Sequence, residues 1–383
     1  MSEYQYYEFK AIDRPLTEEQ RDELRSYSTR ATITRTSFVN DYSWGRFKGD
    51  EDAWMEKYFD AFLYLANWGT HVLKLRLPAR LLDLKTAQEY CVGDSASAWG
   101  SRGNVILSFT CQNEDGEDWI EGDGRLAPLV PVRAELARGD VRVLYLGWLL
   151  CVQNGELEDE DLEPPVPPGL GQLSASLGSF VEFLCIDEDL LQAAAQASAA
   201  TEDVQPSRDE VHAWVARLPT AEKDDLLTRF IVAEDLTLAM ELLHRFRKRH
   251  NHAGLRSDAR VARRTVGELL QAAAARTQER RQAEARKRAE EAERRKREAT
   301  IARARHLDQI AAQEPKLWAR IDDLIATKQP KSYDQAVSLL IDLRDLAQRE
   351  GKDHEFRMKL EAIYAAQARK PSFIERLRKA GLI

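Results

Sequence analysis

Residues 265–313, TVGELLQAAAARTQERRQAEARKRAEEAERRKREATIARARHLDQIAAQ, hold one glycine, Gly267, near their start and no proline. Of the 20 residues 279–298, 15 are charged, 9 basic and 6 acidic. Glu284/Arg288, Glu290/Arg294, Glu291/Arg295 and Glu293/Arg297 each place Glu one helical turn before Arg, the favoured order for an intrahelical pair. Thr265 and Glu268 have capping-box spacing, and Pro315 marks the stop. The stretch predicts one long helix, roughly 70 Å from end to end at about 1.5 Å per residue. Its best heptad seam is Ala285, Ala289, Ala292, Lys296, Ala299, Arg303, His306 and Ile310. Alanine and cations stand there where a coiled coil needs branched knobs, so the expectation is an exposed or partly packed single helix.

Beyond this helix, residues 314–383 read as a C-terminal helical hairpin. Leu339, Leu340, Leu343 and Leu346 face Phe356, Leu360, Ile363 and Tyr364, with caps expected at Ser332/Gln335 and Ser372/Glu375. Before it, residues 173–264 read as a helical domain with helices near 176–184, 187–200, 208–217, 221–231 and 234–250. Residues 154–172 are acidic, then proline-rich, and read as a linker.

Residues 1–153 read as an α+β domain. Strands are expected at 4–12, 31–38, 42–47 and 71–77, with helices at 17–27 and 50–68, which is the split βαββαβ order of ferredoxin-like folds. A helix at 80–90, a hairpin of 95–99 with 104–111, and a buried helix at 141–153 complete it. The fold class is thus an α+β N-terminal domain followed by an all-α region with a long charged helix.

The net charge of −8 conceals an asymmetry: residues 1–240 sum to −21 and residues 241–383 to +13. The four cysteines, Cys91, Cys111, Cys151 and Cys185, form no CxxC pair, and the start is polar. Reduced thiols, no membrane span and a cytoplasmic location are expected. The opening MSEYQYYEFKAIDRPLT, the stretch YFDAFLYLANWG and the ending KPSFIERLRKAGL resemble an uncharacterised bacterial protein family. That resemblance implies a bacterial, cytoplasmic context and carries no activity, cofactor or site residue with it.

Lys/Arg clusters neutralise phosphates whatever the base sequence, so the basic stretch 245–305 is the candidate partner- or phosphate-binding region. Before the long helix it comprises Arg245, Arg247, Lys248, Arg249, Arg256, Arg260, Arg263 and Arg264. Within it stand Arg280, Arg281, Arg286, Lys287, Arg288, Arg294, Arg295, Lys296 and Arg297. His244, His250 and His252 lack a nearby thiol, and zinc would want defined Cys/His spacing. The acidic loop Glu114, Asp115, Glu117, Asp118, Glu121, Asp123 lacks calcium-loop spacing and reads as a solvated tip. Tyr4, Tyr6, Trp44 and Trp68 read as packing side chains, since the RNA-recognition consensus is missing.

No catalytic constellation emerges. GLGQLSASLG at 169–178 follows prolines and not a strand, and GDSAS at 93–97 lacks the second glycine of a nucleophile elbow. No cofactor and no metal are expected. The leading expectation is a non-catalytic interaction or scaffold protein with an acidic head and a basic helical tail. The alternative is a nucleic-acid-associated protein binding DNA or RNA through 245–305.

Overall fold

A computed structural model describes residues 4–45, 47–112, 122–200, 207–232, 238–243, 245–246 and 263–383. The chain folds as two compact units, Met1–Glu279 and Arg280–Ile383.

The first unit is built on β1 (Gln5–Lys10), β2 (Thr32–Ile33), β3 (Ser37–Tyr42), β4 (Ala61–Ala66), β5 (Thr70–Pro78), β6 (Ala96–Ser101) and β7 (Asn104–Gln112). They form one antiparallel seven-stranded sheet in the order β2-β3-β1-β4-β5-β7-β6. Two helices, α1 (Glu18–Tyr27) and α2 (Glu51–Lys57), interrupt the first four strands, so the βαββαβ order is present. Each helix begins where a side chain satisfies its free amides: Thr17 and Gln20 form a capping box, and Asp50 accepts from Ala53 N.

Three boundaries differ from the sequence reading: the second strand, read at 31–38, is only Thr32–Ile33. The third strand is Ser37–Tyr42 instead of 42–47, and the helix expected over 50–68 is only α2, followed by β4. At β4 the cause is burial on both faces of the sheet. Along β4, Ala61, Leu63 and Leu65 join one core while Phe62 and Tyr64 face the other. A strand apolar on both sides has no period-2 signal, and its run reads equally as a helix.

The strands alternate strictly between these cores. On one face Tyr7, Phe9, Phe38, Phe62 and Ile106 meet Leu24 of α1 and Trp54 and Met55 of α2. Ring centroids of Phe9 and Phe62 lie 4.3 Å apart, within aromatic pairing distance. On the other face Leu63, Leu73, Leu75, Leu107 and Phe109 are covered by α4 (Val130–Ala137), α5 (Arg142–Gln153), α6 (Ala175–Phe183) and α7 (Glu188–Ala195). A short α3 (Leu84–Gln88) flanks β6. Helix α5 approaches β7 at Gly147, where an added Cβ would stand 2.4 Å from the Phe109 ring.

The segment 154–172, expected as a linker, is part of this unit: Glu163 is buried, and Leu170 joins the same core as the sheet. Residues of α6 and α7, read as a separate domain, do so as well. Two further helices, α8 (Arg208–Ala216) and α9 (Thr220–Val232), supply a small cluster around Trp214, Leu218 and Leu226. Most of the helix expected at 234–250 lies outside the described residues.

β6 and β7 turn through Arg102 and Gly103, both in the left-handed region at φ 50° and 79°. That is the two-residue hairpin turn matched to strand twist, which favours Asn-Gly. Arg102→Asn should raise stability by about 0.5–1 kcal/mol, because asparagine tolerates this backbone better. The urea midpoint reads this; an unchanged or lower midpoint would refute the assignment of strain.

Helix α10 (Val266–Ala311) is the long helix read from sequence, opened by the Thr265/Glu268 capping box. Its first turns bury Val266, Leu269 and Ala273 in the first unit's core. In the second unit its Leu307 and Ile310 join α11 (Glu314–Ala326), α12 (Pro330–Glu350), α13 (Asp353–Ala366) and α14 (Pro371–Lys379) around one core. This is a helical bundle and not a lone hairpin. Leu340, Leu343, Leu346, Phe356 and Leu360 are buried as expected, and Ile321, Tyr333 and Phe373 join them. The Ser332 and Ser372 caps are replaced by Pro330 and Pro371 as first helical residues, a position that needs no N–H.

Candidate functional site

The basic candidates divide by environment. Arg247, Lys248, Arg249, Arg256 and Arg260 lie outside the described residues, as do His244, His250, His252 and acidic positions 114–121. Arg245 pairs with Glu222, and Arg263 is exposed.

Arg264 is committed inside the first unit. Its Nε and Nη2 donate to the Glu163 carboxylate at 2.9 and 2.8 Å, and Nη1 donates to Ala193 O at 2.9 Å. Glu163 also accepts from the Tyr145 hydroxyl, whose pKa burial pushes upward, so the phenol keeps its proton. The backbone joins here too: Glu163 N donates to Arg264 O and Val266 N to Asp161 O, each at 2.9 Å. Arg264 therefore anchors the start of α10, and its donors are occupied without a phosphate.

The middle of α10 is different. From 278 to 302 every residue is exposed except Glu291, which is half-buried. Two of the four expected pairs form, Glu284–Arg288 at 3.9 Å and Glu293–Arg297 at 2.5 Å. Arg280 also reaches Glu284 at 3.5 Å, and Arg294 turns forward to Glu298 at 3.7 Å. Among the described residues, Arg281, Arg286, Lys287, Arg295 and Lys296 make no ion pair. Seam positions Ala285, Ala289, Ala292, Lys296 and Ala299 are all exposed.

A second buried ionic cluster lies at the α2–β4 junction. Asp60 is fully buried and accepts from Arg76 Nε and Nη2 at 3.1 and 2.7 Å, and from Ile12 N and Asp13 N at 2.6 and 2.9 Å. Arg133 pairs with Asp13 at 2.6 Å and donates to Arg76 O at 2.7 Å. Every charge here has its partner, which is how structural ionic clusters are built. Among the described residues, no group of three or more His, Cys, Asp or Glu could hold a metal ion. None of the helices among these residues is long and apolar enough to cross a membrane.

A cleft of about 460 Å³ opens in the first unit between the end of β7, the end of α5, the α6–α7 turn and the first turns of α10. Cys111, Gln153, Cys185, Asp187, Leu270 and Thr277 are among its lining residues. The Cys111 thiol hydrogen-bonds to Cys185, and this bond together with burial pushes the Cys111 pKa upward. Cys91 and Cys151 also lie close, both buried and each pushed up to about 12 by desolvation. In sequence the four cysteines form no CxxC pair. Cys111 and Cys185 stand on a strand and a helix-ending turn, and no local spacing signals such a pairing.

No protein-family model, curated protein or solved structure matches this chain.

Proposed function

We propose that the chain is a non-catalytic interaction or scaffold protein that offers the charged surface of α10 to a protein partner. One observation carries this reading: 278–302 is exposed on all sides, with one half-buried residue. A helix polar all round gains nothing from core burial and is held by local pairs, so its surface is free to meet another molecule. The opposite charges of 1–240 and 241–383 give an acidic head and a basic tail for partners of opposite sign.

Replacing Arg286, Lys287, Arg295 and Lys296 by glutamine keeps helix propensity while removing charge. A stoichiometric protein partner captured from native lysate with the unaltered chain should be lost with this variant. Recovery of no partner, or equal recovery by both, would count against the proposal.

The five cations without an ion pair favour a second reading, nucleic-acid association through phosphates. Five phosphate contacts imply an affinity loss of about 10²–10³-fold between 50 and 200 mM salt. Filter binding to duplex DNA and to single-stranded RNA at both salt concentrations tests it. Flat or absent binding removes it.

A further inference from the structure

We propose that Cys111 and Cys185 form a peroxide-oxidisable dithiol that closes to a disulfide at the floor of the β7/α10 cleft. The two residues lie in different elements, yet their thiols are hydrogen-bonded and both line the same cleft.

The backbone at Cys185 is independent support. Helix α6 ends in a Schellman motif: Ile186 N donates to Val181 O at 3.0 Å and Cys185 N to Glu182 O at 3.2 Å. The residue at this position takes φ 53°, left-handed backbone that glycine adopts at least cost. A side chain here carries an energetic penalty, and such penalties cluster where a particular side chain is needed. The surroundings hold the turn in place. Gln153 donates from Nε2 to Cys185 O at 3.0 Å and accepts from Asp187 N at 2.7 Å, bracketing the cysteine on both sides. His71, the register partner of Cys111 on β5, makes a 2.6 Å hydrogen bond through Nδ1 to Phe183 O and stacks on the Phe183 ring. The turn that carries Cys185 is thereby tied to α5 and to β5, the strand paired with β7.

The two thiols are not equivalent. Cys111 is buried, whereas Cys185 is partly exposed. Its exposure makes Cys185 the sulfur that peroxide reaches, and hence the attacking one. Its thiolate attacks one peroxide oxygen and breaks the O–O bond. Hydroxide departs and takes up the proton that Cys185 released, leaving a sulfenic acid and water. The Cys111 sulfur then attacks the sulfenic sulfur, forming the S–S bond and expelling hydroxide, which leaves as a second water with the Cys111 proton. Two thiols and one peroxide give one disulfide and two waters, a two-electron oxidation. Cys91 and Cys151 are both buried and serve as the internal control, since desolvated thiols are inert.

The full chain, freed of reductant, is treated with hydrogen peroxide while folded, then unfolded and alkylated. Digestion with trypsin and a glutamate-specific protease separates the cysteine peptides for mass spectrometry. The expected result is loss of two of the four thiols, with the Cys111 and Cys185 peptides joined and dithiothreitol reversing it. Cys91 and Cys151 should remain fully alkylated. In Cys111→Ala, Cys185 should stop at a sulfenic acid that dimedone traps. The proposal is overturned if Cys185 proceeds to sulfinic acid with Cys111 still a thiol. It is equally overturned if Cys111 pairs with Cys91 or Cys151, or if all four thiols survive.

Discussion

Asp60→Ala should lower the unfolding free energy of the Met1–Glu279 unit by about 3–5 kcal/mol. Asp60 is fully buried and receives four hydrogen bonds, two from Arg76 and two from the backbone amides of Ile12 and Asp13. Alanine would leave the buried guanidinium of Arg76 without its carboxylate, and strand β1 would lose the carboxylate that holds its exit. The cost arises from the uncompensated charge left behind more than from the bond removed, so shortening to alanine is worse than its volume suggests. Chemical denaturation monitored by tryptophan fluorescence gives the number. A loss under about 1 kcal/mol would mean that water reaches Arg76 and that the cluster is peripheral.

Glu163→Ala should cost a similar amount, about 3–5 kcal/mol. Glu163 is 3% exposed and is shared by Tyr145 and Arg264, so its removal strands a phenol and a guanidinium together. The damage should be local as well as global: amides in the first turns of α10 should lose hydrogen-exchange protection. Arg264→Ala should do the same, whereas Arg281→Ala should leave stability within about 0.5 kcal/mol. Equal, small effects of both arginine variants would show that Arg264 belongs with the exposed cations after all.

That contrast marks where the sequence was readable. Arg264 and Arg281 are both arginines in one basic run, and their roles part because the β-bridge between Leu162 and Thr265 brings Arg264 to the Glu163 carboxylate. Such a bridge joins residues about a hundred positions apart, and local patterning carries no trace of it. Features set by neighbours along the chain were legible: the Thr265/Glu268 capping box, the charged helix, and the βαββαβ order. Features set by burial on two sides were not. Phe62 and Tyr64 hide the alternation of β4, and the stretch 154–172 with Glu163 in its middle looks solvated until Tyr145 and Arg264 close on that carboxylate. The Cys111/Cys185 contact was invisible for the same reason, because the turn carrying Cys185 meets β7 only in three dimensions.

An open sheet has two margins at which a foreign strand could add. Here one margin is β2, a mere two residues long, Thr32–Ile33. The other is β6, where Gln88 from the adjoining helix donates to Ala98 O at 3.4 Å. Both borders are blunted, one by brevity and one by a side chain occupying its outward carbonyl. Peptide capture by extending the β-layer is thereby discouraged, and self-templated aggregation along those borders is resisted in the same way.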